Sequence, residues 1–237
     1  EIVEQLKRRQ IETALIERLP QVLTQLDPEM AKLVELELQK QGVQVVLSAE
    51  VQSLLTSNQR VTAVKLADDR SVATDLVIAS VGVKPRTGLA EAAGIELGAA
   101  GGVKINEFCQ TNDPHIYAVG DIAEYHHGMY ARPMRVPLAG PANRSGRVAG
   151  SHAACGKSTP LTSVQGTAIV RVFGLAAGST GLSEACCQAD GIACRSTIVQ
   201  APHHASYFPG ARSLTIKLVY HPDTGQIWGA QAVGAEG

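Results

Sequence analysis

The tightest constraint on this chain is a helix framed between two short strands. Asp27 stands at an N-cap position, Pro28 at the first helical position and Gly42 just past the end. Between them Met30, Leu33, Val34 and Leu38 recur at helical spacing, so the stripe faces a core. Residues 12–17 (ETALIE) read as a short buried strand followed by a loop at Leu19 and Pro20, and VQVV follows the helix as a second strand. Strand, helix and strand in this order give a βαβ rhythm and an expected α/β fold.

Residues 1–10 read as an earlier helix, with Ile2, Val3 and Leu6 on one side and Glu4, Lys7 and Arg8 on the other. A chain that opens inside an uncapped helix and stops in a hairpin at residues 234–237 leads us to expect further residues before Glu1. From residue 43 to 81 short strands come in quick succession: VQVV, VQSLL, VTAVKLA, and LVIASV, which ends at Gly82. The last is expected as a central strand whose end presents a glycine.

A Pro85- and Gly-rich stretch through Gly102 separates a second block, with HIYAVGD (residues 115–121), a polar loop with His126, His127 and Arg132, and a helix over about residues 140–154. From about Val164 the pattern turns to long strands: GTAIVRVF, a helix from Ser183 to Asp190, IACRSTIV, and the hairpin LTIKLVY, HPDTGQ, IWGAQAV. In it Leu214, Ile216, Leu218 and Tyr220 alternate with Thr215, Lys217 and Val219, the pattern of a sheet with one face covered. We place three portions at residues 1–82, 83–158 and 159–237.

Composition narrows the function classes. The 237 residues, 45% of them hydrophobic, suffice for sizeable cores. Twenty-one Lys plus Arg against 22 Asp plus Glu leave a net charge of −1, so no overall field attracts nucleic acid or anionic membrane, and phosphate must be held locally. No run approaches the ~20 apolar residues that cross a bilayer, and no basic-then-apolar leader opens the sequence. The five cysteines form no C-x-x-C pair, which argues against a secreted disulfide framework and a structural zinc site, and for a reducing cytoplasm. His126 with His127, and His203 with His204, are sequence neighbours that seldom aim at one ion, so no metal is expected. The adjacent Cys186 and Cys187 are expected to stay thiols, because bridging vicinal cysteines strains the backbone.

The strongest chemical signal is TNDPHIYAVGD, residues 111–121. An apolar strand ending in Gly120-Asp121 puts a carboxylate at the carboxyl edge of a sheet, where α/β folds bind ligands, and Gly120 lets the backbone approach that ligand. Such a carboxylate suits sugar-like hydroxyls; a helix N-cap is equally open on spacing alone. PLAGPAN, residues 137–143, with Pro137, Leu138 and Ala139 leading in, starts a helix near residues 139–141 whose unpaired N–H groups suit an anion or an electron-rich carbonyl.

T-x-x-x-x-I-Y-A-V-G-D resembles the second FAD-binding motif of the pyridine nucleotide-disulfide oxidoreductase family. The resemblance implies that Asp121 holds a ribityl hydroxyl of FAD and that the helix start at 137–139 faces the pyrimidine edge of the flavin. It also implies that residues 1–82 are part of a nicotinamide-nucleotide domain, with Glu17 on the adenosine ribose of NAD and Arg18 placed for the 2′-phosphate of NADP. Glu1 matches the glutamate after the last glycine of the family's phosphate loop, and ASVGVKP, with Gly82, the return to the FAD domain. GLSEA, HHASYFPGA and GAQAVGAEG resemble the dimerisation domain of the branch with coenzyme A-disulfide reductases, NADH oxidases and NADH peroxidases. There Tyr207 matches an interface tyrosine that serves the partner's active site, although a core or interface role explains it as well.

The fold implied is α/β, with partial Rossmann-like NAD(P)- and FAD-binding portions and a C-terminal α+β dimerisation domain. The function implied is hydride transfer from NAD(P)H to FAD and on to a disulfide, a peroxide or oxygen, in a homodimer without nucleic-acid or membrane partners. None of the five cysteines matches the family's redox cysteine, so this stretch by itself is expected neither to turn over nor to hold FAD tightly. A ferredoxin- or rubredoxin-reductase-type flavoprotein, or a non-catalytic dimerisation module, are the alternatives.

Overall fold

A computed structural model describes residues 1–129 and 133–235; Arg132 of the polar loop and the last two residues of GAQAVGAEG lie outside the described residues. The chain forms two compact units, residues 1–80 with 169–237 and residues 81–168.

The first unit opens with α1 (Ile2–Arg8), β1 (Ala14–Ile16), α2 (Pro28–Lys40) and β2 (Gln44–Val46). β1 and β2 pair in parallel, Ala14 opposite Gln44 and Ile16 opposite Val46, and α2 supplies the crossover that parallel pairing needs. Met30, Ala31, Val34 and Leu38 turn the inner face of α2 into a core that Val22 and Leu26 of the preceding loop complete. α1 presents a different face from the expected one: Ile2 is exposed while Glu4 is buried. Glu4 is tolerated inside because Oε2 accepts the Phe173 N–H at 3.1 Å and Oε1 pairs with Arg8 at 2.6 Å.

An antiparallel sheet of β3 (Val51–Ser57), β4 (Arg60–Leu66) and β5 (Ser71–Ala73) follows. Asn58 and Gln59 have φ of 49° and 62° at its first hairpin, the double positive φ that two-residue turns favour. The LVIASV run forms no strand. No described strand pairs with it, so its apolar side chains stay open to solvent, and Val81 is 94% exposed.

The second unit contains α3 (Gly88–Ala92), β6 (Val103–Lys104), β7 (Ala123–His126), β8 (Pro133–Arg135) and α4 (Ala139–Cys155). β7 lies between a parallel β6 and an antiparallel β8, over a core of Ile95, Val103, Ala118, Ala123, Tyr125, Val136 and Val164. The expected HIYAVGD strand is reduced to one bridge, Gln110 with Tyr117. Local bonds take its backbone instead, Ala118 N–H to Cys109 O at 3.0 Å and Thr111 N–H to Ile116 O at 3.0 Å, so regular pairing begins after Asp121, in β7.

The chain then returns to the first unit with β9 (Ala168–Val172), β10 (Leu175–Gly181), α5 (Glu184–Ala189), β11 (Arg195–Pro202), β12 (Ser213–Tyr220) and β13 (Ile227–Gly234). Their sheet has the order β11-β12-β13-β10-β9, and one face packs on α2 through Val172, Ala177 and Val233. The covered face is the reverse of the apolar one in the sequence pattern. Lys217 and Val219 point inward, with Lys217 1% exposed, while Ile216 and Leu218 are left outside.

Candidate functional site

The Asp121 turn is built wholly within the second unit. A 3₁₀ turn, Gly120–Ile122, leads into β7 and rests on α4, where a Cβ on Gly120 would lie 3.8 Å from that of Ala142. Gly120 has φ +75°, a conformation that glycine adopts without strain. The turn is clamped by Tyr125, whose buried hydroxyl accepts the Gly120 N–H at 2.7 Å and lies 3.0 Å from both the Gly120 carbonyl oxygen and Ser145 Oγ. Ser145, fully buried in α4, donates to Ala142 O at 3.1 Å. Burial pushes the Tyr125 phenol up, against the opposing pull of its bonds to Ser145 and Gly120, so the hydroxyl stays protonated and available as a donor.

Asp121 itself is exposed. A strand follows it rather than an α-helix, which removes the helix-cap alternative. The start of α4 neighbours this turn: Pro137 and Ala139 are exposed, and Leu138, at the N-cap position, makes no side-chain cap bond. The first-turn N–H groups of such a helix have no intrahelical acceptor. One edge thus combines an outward carboxylate, a glycine backbone and a positive helix end, a donor and acceptor set that fits a polyhydroxylated chain joined to an electron-rich ring.

Glu17 directly follows β1 in the first unit. Its N–H donates to Val46 O at 2.9 Å and its Oε1 accepts the Leu19 N–H at 2.9 Å, which fixes the carboxylate at the carboxyl end of a parallel pair. Arg18 is exposed beside it. Glu1 is exposed at the N-cap position of α1 without a side-chain cap bond. Gly82, with φ +91°, sits in a segment without regular structure, and nothing lies within 4 Å of where its Cβ would be. Tyr207 is 84% exposed in the loop between β11 and β12, its ring 5.7 Å from that of Phe208. The structure therefore gathers Gly120, Asp121 and residues 137–139 at one place and Glu17 with Arg18 at another. No hydrogen bond among the described residues joins Glu1, Gly82 or Tyr207 to either group.

His126 is exposed while His127 is buried, with Nδ1 accepting the Met129 N–H at 3.1 Å, so the two rings occupy different surroundings. Sequence reasoning missed a buried ionic knot in the first unit. Lys217 Nζ donates to Asp27 at 2.9 Å, to Glu184 at 2.6 Å and to Glu29. Asp27 holds the N-cap position of α2, as expected, but its side chain makes no cap bond there. Its carboxylate instead accepts the Glu184 and Ala185 N–H groups at the start of α5, at 3.1 and 3.0 Å, and Gln231 Nε2 at 2.7 Å. Burial opposes ionisation of Asp27, yet the Ala185 N–H, the Lys217 ammonium and the Glu184 N–H together hold its carboxyl below the usual range. Burial likewise opposes the charge on Lys217, and the Glu184, Glu29 and Asp27 carboxylates overcome it and raise its pKa. The only available signal was a lysine within an otherwise apolar alternation.

The chain matches a family model described as pyridine nucleotide-disulphide oxidoreductase over residues 1–144, and that family's dimerisation domain over residues 167–237. It is 36% identical over 210 residues to a Pyrococcus abyssi protein named NAD(P)H sulfur oxidoreductase (CoA-dependent), covering 89% of this chain and 46% of the relative. Among solved structures, reduced CoADR-RHD of Bacillus anthracis is 36% identical with a TM-score of 0.94, covering 100% of this chain and 42% of the other. A NAD-dependent persulfide reductase from A. fulgidus is 32% identical with a TM-score of 0.95, covering 99% and 44%. The chain spans about half the length of the curated relatives it matches.

Proposed function

Because this chain belongs to the pyridine nucleotide-disulphide oxidoreductase family, we propose that it serves an FAD-dependent enzyme moving hydride from NAD(P)H to FAD and on to an acceptor. The acceptor is a disulfide such as coenzyme A disulfide, a peroxide or oxygen, and the names of the similar sulfur and persulfide enzymes favour sulfur. The observation that carries this reading is the outward Asp121 on a turn clamped to the start of α4.

Bound FAD supplies a two-electron carrier between nicotinamide and acceptor. Asp121 accepts a hydrogen bond from a ribityl hydroxyl, and Gly120 lets the backbone come close to it. The N–H groups of Ala139 and Gly140, which follow Pro137 and Leu138 at the start of α4, would stabilise negative charge on the pyrimidine edge of a bound flavin. Glu17 accepts from the adenosine ribose hydroxyls of NADH, Arg18 offers its charge to the 2′-phosphate of NADPH, and Glu1 and Gly82 border the dinucleotide. Tyr207 donates a proton to a leaving thiolate. The portions 1–82, 83–158 and 159–237 take the nicotinamide, flavin and dimerisation roles, in a cytoplasmic homodimer.

The test is a flavin-fluorescence titration of the purified chain with FAD, carried into the millimolar range because this stretch by itself is expected to hold FAD only weakly, with parent binding resolved first. Asp121→Ala should weaken binding about tenfold or more, as loss of a charge-assisted bond of about 1.5–3 kcal/mol requires. Equal affinity of variant and parent would remove the reading's foundation.

A further inference from the structure

A groove of about 450 Å³ in the first unit lies between the end of α1 and the turn from β9 to β10. Three cationic side chains line it, Lys7, Arg8 and Arg171, with Phe173 as an apolar wall. Its size falls within the range of about 300–1,000 Å³ that pockets for small organic molecules occupy. Each cation is fixed by a contact to the groove wall. Arg8 Nη2 pairs with Glu4 Oε1 at 2.6 Å, Arg171 Nε donates to Phe173 O at 3.1 Å, and Lys7 Nζ donates to Gly42 O at 3.2 Å. Guanidinium and ammonium groups carry several N–H donors, so each of the three keeps donors for a further partner.

The nearby carboxylates are already engaged. Glu4 also accepts the Phe173 N–H at 3.1 Å, and Glu37, which faces Gly174, accepts from Gln41 Nε2 at 2.8 Å with Lys40 3.8 Å away. The last carbonyl oxygens of α1, which would repel an anion, are covered: Leu6 O accepts from Arg9 and Ile11, and Lys7 O from Gln10. The turn itself is strained. Phe173 has φ +52°, a left-handed conformation that a bulky side chain rarely takes, and Glu4 and Arg171 hold its N–H and its carbonyl. Backbone strain of this kind gathers at ligand sites. The chain as a whole has a net charge of −1 and draws no phosphate by its overall field, so a local excess of cations is what holding one requires. We propose that this groove binds a small organic phosphomonoester, with Arg8, Arg171 and Lys7 on the phosphate and Phe173 against the organic part. A guanidinium fork meets two phosphate oxygens at once, and a dianionic phosphate matches the surplus of positive charge better than a carboxylate does. None of these residues belongs to the flavin or dinucleotide groups described above, so the groove stands or falls apart from them.

Amide NMR titrations of the whole chain with phenyl phosphate, and separately with inorganic phosphate, test this. Phenyl phosphate should give saturable shifts centred on the amides of Gly42, Phe173 and Gly174. Inorganic phosphate should shift the same amides with affinity roughly tenfold weaker, since it leaves the apolar wall uncovered. Arg171→Gln and Lys7→Gln keep an amide donor for their backbone acceptors, and each should weaken phenyl phosphate binding about tenfold through loss of a charge-assisted contact. Arg18→Gln, in the other basic neighbourhood, should leave it unchanged. Shifts that scatter over the exposed lysines and arginines without saturating, or equal affinity for phenyl phosphate and inorganic phosphate, would overturn the proposal. Because the mapping needs only the parent chain, it decides the matter even if a variant folds poorly.

Discussion

Tyr125 serves Asp121 without any need to touch a ligand. Its hydroxyl satisfies the Gly120 N–H at 2.7 Å, and no water replaces it easily at a buried position. Tyr125→Phe is expected to lower stability by about 1–3 kcal/mol, measured by urea unfolding, because it leaves the Gly120 N–H only its longer 3.4 Å contact with Ser145 Oγ and takes from Ser145 its Tyr125 partner. The same variant should weaken FAD binding while leaving Asp121 chemically unchanged. A binding loss with intact Asp121 would mark a positioning residue. At this scale the sequence was informative where chemistry is local. Gly120 was read as a glycine for close backbone approach, and its φ of +75° adds a separate conformational reason for glycine there. Tyr125 was illegible because its partner Ser145 lies 20 positions away, beyond any turn or cap pattern.

At the scale of elements, β12 shows how a periodic pattern can be inverted. Period-two alternation fixes which residues share a face but not which face is covered. Here three carboxylates and a ring of N–H donors make an inward Lys217 tolerable, and the apolar set goes outside. Removing the cation with Lys217→Met leaves those carboxylates uncompensated and should cost about 3–5 kcal/mol in urea unfolding. Asp27 and Glu184 both titrate below their ordinary values, Glu184 chiefly through its bond to Lys217. The folded chain therefore binds fewer protons than the unfolded one in acid, and the knot's contribution is present above about pH 4 and lost as pH falls through the folded values. Lys217, raised instead, contributes fully below about pH 10 and fails only in stronger alkali. Unfolding midpoints should fall between about pH 5 and 3, and fall less in Lys217→Met.

The β1–α2–β2 unit was legible because Pro28, Gly42 and the apolar spacing agree there, even though Asp27 at the N-cap position makes no cap bond. β10 was not. Its LAAGSTG sequence has small residues with weak strand preference, and they are required by closeness: a Cβ on Gly181 would come within 2.2 Å of Trp228 O. LVIASV misled for the opposite reason, since strong strand character with no described strand beside it leaves only exposed apolar side chains.

For the whole molecule, the outer face of the last sheet carries the consequence of that inversion. Val199, Ile216 and Ala232 form one cross-strand row and Leu218 with Ala230 another, an apolar surface on the side away from α2. A second copy of the chain is the occupant we propose for it, in keeping with the dimerisation-domain match over residues 167–237. Sedimentation of the parent should give a dimer, and Ile216→Lys with Leu218→Lys a monomer of unchanged helix content; an unaltered dimer would place the interface elsewhere.

The backbone N–H of Asp27 donates at 2.7 Å to Gln231, 204 positions later. At about 5–20 residues per second, a ribosome needs roughly 10–40 s to deliver that partner after Asp27 has been made. For that interval the nascent α2 has Val22, Leu26 and Val43 to pack against, but Val172, Ala177 and Val233, which cover the rest of its stripe, and Gln231, which receives the Asp27 N–H, are not yet made. Its safe passage falls to whatever binds emerging chains, and slowing translation should make this protein dependent on that help.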